Sequence, residues 1–120
     1  MFPAELPIIQ KGDVLEQIAD SIKILIRAPQ GIPRDLVTEY LERCRRGMPL
    51  LMAAVGENHH AQLRVLGHRM KGTGAPYGFP KLTEIGGLIE QAAVDENSGA
   101  LRAYAAELEE YIGRVEIAVD

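Results

Sequence analysis

Apolar residues in this chain recur mostly at intervals of three and four, the spacing that gathers side chains on one face of an α-helix. The clearest run is Leu101, Tyr104, Ala105, Leu108, Tyr111, Ile112 and Val115, a strong amphipathic stripe that Ser98 can cap after a turn over residues 95–99. Before it, Leu82, Ile85, Leu88, Ile89 and Ala92 give a second helix its apolar face, with Pro80 suited to the first turn. A third stripe reads Val37, Tyr40, Leu41, Cys44, Met48, Leu51, Met52 and Val55 and begins around Pro33 to Asp35, where an early proline and an acid favour a helix start. Pro49 lies within it and removes the hydrogen bond to the Arg45 carbonyl, so a kink or break is expected near Gly47. A turn over Gly56 to Asn58, with Asn58 as N-cap, leads into a helix from about His59 to Gly72. Gly74, Pro76 and Gly78 then build a tight connection.

The N-terminal pattern is weaker. Pro3, Pro7 and Gly12 surround the short apolar patch Leu6 to Ile9 with no sustained period, which reads as an arm. From Asp13, a candidate N-cap, residues Val14, Leu15, Ile18, Ile22 and Leu25 have helical spacing, yet Ile22 to Ile26 also alternates like a strand. Both readings stay open there. The expected organisation is therefore an N-terminal arm over residues 1–30, with an extra helix as one form of it, followed by an antiparallel four-helix bundle over residues 31–120.

Composition sharpens this to an all-α class. The chain is 47% hydrophobic but only 5% aromatic, has no tryptophan and is rich in good helix formers. Its 120 residues suit one domain with a real core and are too few for an ATP-binding domain plus a second module. A formal charge of −4 gives no global field for nucleic acid, so that partner is excluded from the expectation. Cys44, the one cysteine, cannot form an internal bridge, and no apolar run approaches the ~20 residues of a membrane span. With no basic leader followed by an apolar signal segment, a cytoplasmic monomer is expected, with no membrane association.

The candidate chemistry sits at His68, in the run Leu66-Gly67-His68-Arg69-Met70-Lys71-Gly72-Thr73-Gly74. On a helix, Lys71 and Gly72 lie beside His68 on one face, while Leu63, Leu66, Met70 and Thr73 gather on the opposite one. The imidazole should therefore meet water. A neutral imidazole, with a pKa near ~6.5 when unperturbed, presents an unprotonated nitrogen that can accept a phosphoryl group near neutral pH. Lys71 can offer a charge-assisted hydrogen bond to a phosphoryl oxygen, and Arg64, one turn before the histidine, adds positive potential. Gly72 costs about 1 kcal/mol against alanine inside a helix, which suggests a close approach there, and Gly78 can clear space for the same partner. The bland alternatives are a surface histidine, a glycine helix stop, and a lysine favoured by the helix dipole.

His68, Lys71, Gly72 and Gly78, followed by Leu82, Leu88 and Glu90, resemble the signature of histidine-containing phosphotransfer (HPt) domains: H-x-x-K-G, a second glycine ten residues after the histidine, and a leucine-rich helix behind it. The resemblance covers about Leu36 to Val115 and implies a four-helix bundle that carries phosphate on one exposed histidine between receiver domains. It implies His68 as the phosphorylated nucleophile, Lys71 as the group that stabilises the phosphate, and Gly72 and Gly78 as points of access. The implied partners are response-regulator receiver domains, which would supply Mg²⁺, and a hybrid histidine kinase is a further candidate donor. No cofactor bound by this chain and no kinase or ATPase activity are expected. The alternative is a receiver-binding adaptor of the same fold that transfers nothing.

Other constellations are weaker. His59 lies roughly 180° around the helix from His68 and His60 is two turns away, too far to share an ion, so no metal site is expected. Gly86-Gly87 lacks the lysine and serine of a P-loop and reads as close helix packing. Glu57, Glu84 and Glu90 form no metal-binding Glu-x-x-His pair.

Overall fold

Short connections link four helices, and a small two-stranded sheet joins the segments that flank them. The computed structural model describes residues 22–118. In order these form β1 (Ile24–Ile26), α1 (Arg34–Gly56), α2 (His60–Thr73), a 3-10 turn (Ala75–Tyr77), α3 (Pro80–Val94), α4 (Ser98–Arg114) and β2 (Val115–Ile117). Most of the expected arm, and the candidate helix from Asp13, lie outside the described residues. Of the two readings of Ile22 to Ile26, the strand is the one formed: β1 runs parallel to β2, with Ile24 opposite Val115, Leu25 opposite Glu116 and Ile26 opposite Ile117. A boundary at residue 30 therefore cuts a strand from its partner, and residues 24–30 belong to the folded body. Val115, expected at the end of the last helical stripe, is fully buried in β2 instead.

Several helix starts and stops have a local cause, not always the one expected. Pro33 precedes α1, and its carbonyl accepts from the Leu36 and Val37 amides at 3.0 and 3.3 Å. The helix then runs unbroken through Pro49, contrary to the expected interruption. Tyr40 and Leu41 before the proline and Leu51 and Val55 after it are all buried in one core, and that shared burial offsets the ~3 kcal/mol local cost of proline. Asn58 is the left-handed stop of α1 and not a cap of α2: its φ is 56°, and the His59 amide reaches back to the Ala54 carbonyl at 2.9 Å. Glu96 ends α3 in the same way, with the Asn97 amide on the Ala92 carbonyl at 2.9 Å. Asn97 caps α4 by accepting from the Ala100 amide at 3.0 Å. Ser98, expected in that role, instead donates to the Asn58 side-chain oxygen at 2.7 Å and ties the two helix turns together.

The C-terminal end of α4 is closed from α1. The Arg45 guanidinium donates to the carbonyls of Ile112, at 3.1 Å, and Val115, at 2.7 Å, which lack helical partners where the chain turns extended. Val37, Leu63, Phe79, Leu82, Ile85, Ala105 and Leu108 make the centre of the core, and no polar or charged residue is buried among the described residues. Leu88, read as a core position, is exposed. No helix of the described residues is long and apolar enough to cross a membrane.

Candidate functional site

Two glycines set the site. A Cβ on Gly67 would lie 2.7 Å from both the Glu90 amide nitrogen and the Gly86 carbonyl oxygen, and one on Gly86 would lie 2.6 Å from the Lys71 amide nitrogen. α2 and α3 therefore touch backbone to backbone, closer than any side chain allows. Gly74 continues the contact two turns after Gly67, where a Cβ would meet the Thr83 nitrogen at 2.6 Å. His68 follows Gly67, and Glu90 lies one turn after Gly86, so this crossing brings the two side chains together.

The His68 Nδ1 lies 2.7 Å from Glu90 Oε2, and the Lys71 ammonium donates to Glu90 Oε1 at 3.2 Å. The hydrogen bond from His68, and then that from Lys71, hold the Glu90 carboxyl below the usual carboxylate range. An ionised carboxylate can only accept, so Nδ1 carries a proton, and in the neutral ring that tautomer leaves the lone pair on Nε2. The side chain of His68 is 73% exposed while that of Glu90 is 21% exposed. The ring thus stands in water on a carboxylate anchored at the helix seam, its unprotonated nitrogen turned away from the anchor. Arg64, Val65, His68, Arg69 and Glu90 line a shallow hollow of about 310 Å³ at this point.

The other expected site residues divide. Gly72 is on α2, and a Cβ there would meet nothing, so no contact among the described residues requires glycine. Gly78 has a structural duty: its φ is +98°, a Cβ would stand 3.0 Å from Pro29 Cδ, and it does not line the hollow at His68. Gly78 thus serves a tight turn against residues 27–29, and its expected role in clearing space for a partner is a separate proposal. Lys71 is on the site, but its ammonium is on the carboxylate. Thr73 is exposed at the end of α2, where its hydroxyl donates to the Arg69 carbonyl and accepts from Tyr40, each at 2.8 Å. Burial pushes the Tyr40 phenol well above its ordinary pKa, and the ring stacks on Tyr77 with centroids 4.5 Å apart. His59 pairs with Glu57, and His60 with Glu96, at the far end of α2; no group of three or more ligand-type side chains able to hold a metal occurs among the described residues.

Glu90 and Arg69 are the residues that the spacing argument passed over as site members. Glu90 had a signal, since it is a charged residue one turn after Gly86, but only the helix crossing reveals that it faces His68. Compared with protein-family models, curated proteins and solved structures, the chain has no significant match in any of the three.

Proposed function

We propose that this chain is a histidine phosphotransfer domain with the antiparallel four-helix bundle of that family, accepting a phosphoryl group on Nε2 of His68 from a receiver-domain aspartate and passing it to another receiver. The observation that carries this reading is the hydrogen bond of the His68 Nδ1 to Glu90, which leaves an exposed Nε2 as the free nucleophile. In the transfer, the Nε2 lone pair forms the N–P bond as the acyl phosphate P–O bond breaks, and that electron pair leaves with the receiver's carboxylate. The Nδ1 proton stays on its bond to Glu90, and the positive charge gained by the ring faces a carboxylate already in place. Lys71 fixes that carboxylate and adds positive potential on the same face. The receiver supplies Mg²⁺, so the chain itself needs only a positioned nucleophile and surrounding charge.

The surface around the histidine suits a transient partner. Val65 on α2 and Val94, one turn beyond Glu90 on α3, are exposed apolar residues beside an open face. Gly72 leaves that face without a Cβ although nothing among the described residues demands it, which supports clearance for a docking protein. The expected partners are receiver domains, met by a cytoplasmic monomer with no kinase or ATPase activity of its own.

The test is transfer of labelled phosphate from a panel of phosphorylated receivers. Wild type should acquire acid-labile label and His68→Gln none, with receiver binding unchanged. Equal label on His68→Gln would refute the assignment, and binding without any label on wild type would replace it with the adaptor reading.

A further inference from the structure

We propose that Arg64 and Arg69 form an oxyanion clamp over Nε2 of His68, gripping the phosphoryl oxygens while Lys71 remains committed to Glu90. The identity of the anion rests on the phosphotransfer reading; the clamp itself rests on geometry. The hollow at His68 is lined by Arg64, Val65, Arg69 and Glu90, and Lys71 does not line it. Lys71 reaches Glu90 Oε1, beside the oxygen that holds Nδ1, and so stands on the anchored side of the ring. An anion on Nε2 sits on the other side.

Charge in the hollow is uneven once existing bonds are counted. The Glu90 carboxylate is already engaged by His68 and Lys71. The Arg64 and Arg69 guanidiniums have no ion-pair or hydrogen-bond partner among the described residues. Two free guanidiniums, one a turn before the histidine and one adjacent to it, thus flank a nucleophile whose product is an anion. A guanidinium presents forked donors that match a phosphoryl group's oxygens two at a time, which an ammonium cannot do. Arg69 also borders the groove between α1 and α2, beside Tyr40 and Met70, and so stands on the ridge of α2 with reach to the hollow. Lys71, by contrast, would have to leave Glu90 to reach the same oxygens, freeing a carboxylate next to the incoming anion.

The experiment uses phosphoramidate, which phosphorylates imidazole directly: its P–N bond breaks, ammonia leaves and the Nε2–P bond forms, with no receiver involved. ³¹P NMR then follows the titration of the attached phosphoryl group, with His68→Gln identifying its resonance against any signal from His59 or His60. A nearby cation favours the dianion and lowers its pKa. Arg64→Gln and Arg69→Gln should each raise the midpoint by about half a pH unit, the effect of one charge ~6 Å away in a solvated site. The double variant should raise it further, Arg69→Lys should recover part of the loss, and Lys71→Gln should shift it less than either arginine variant. Titrations of the arginine variants that superimpose on wild type would overturn the clamp, as would a larger shift for Lys71→Gln or the absence of any His68-dependent resonance. If the arginine effect appears but no receiver labels the chain, the clamp stands as an oxyanion site and the phosphotransfer reading falls.

Discussion

The two flanks of α2 follow different packing rules. Toward α3 the contact is backbone to backbone, through Gly67, Gly74 and Gly86, and leaves no room for one added methyl group. Toward α1 the helices stand apart over a groove of about 460 Å³ lined by Cys44, Met48, Leu66 and Met70, and they are clasped at one end by Tyr40, Thr73 and Tyr77. The close flank carries the His68–Glu90–Lys71 chain and the open flank carries none of it. A hydrogen bond of 2.7 Å between two helices demands a seam without slack, whereas an apolar groove tolerates small displacements.

That contrast can be broken most directly at the seam. Gly67→Ala or Gly86→Ala puts a Cβ against backbone atoms that cannot rotate away, and should cost about 3 kcal/mol in urea unfolding. The same variants should abolish the Nδ1–H tautomer signature of His68 in ¹⁵N NMR. Gly72→Ala, on the same helix but facing open space, should instead stabilise by about 0.5 kcal/mol and leave that signature intact, while slowing transfer to receivers. A fold that accepts alanine at Gly67 as easily as at Gly72 would remove the basis for the comparison.

The open flank should respond less. Tyr40→Phe loses one partly buried hydrogen bond to Thr73, worth about 1 kcal/mol, with the ring stack retained. The His68 signature should not change, because Tyr40 acts on the other side of α2. A Tyr40→Phe spectrum altered at His68 would mean that the two flanks are coupled.

The smallest effect is electrostatic. Glu90 titrates below the ordinary carboxylate range, first because His68 donates to it and second because Lys71 does. A carboxyl depressed in the folded state adds stability that is present above its unfolded pKa and is lost as pH falls through the folded pKa. The Glu90 carboxyl carbon should accordingly titrate below a reference glutamate in NMR. Its midpoint should rise in Lys71→Met and rise further in His68→Gln, and the reverse order would reassign the anchor from the imidazole to the ammonium.

The sequence by itself determined the helical ladder, because a repeat of three and four is local information and each apolar stripe reports its own helix. It also singled out His68, Lys71 and the open position of Gly72, since a helical wheel alone puts them on a solvent face. It misplaced the caps at Asn58 and Ser98 because a polar residue near a helix end can serve either as an N-cap or in the preceding turn. Only the neighbouring backbone decides between them, here through the left-handed Asn58 and the bond from Ser98 to it. It also expected Pro49 to interrupt α1, since the local cost of proline is visible in one dimension while the shared core that outweighs it is not. The tertiary structure alone decided that Ile24–Ile26 pairs with Val115–Ile117, a contact between segments some ninety residues apart in sequence. It alone brought Glu90 to His68, twenty-two residues apart, because that meeting depends on how closely two helices can approach: the sequence read Gly86-Gly87 as close helix packing, but that Gly86 meets Gly67 appears only when their backbones touch.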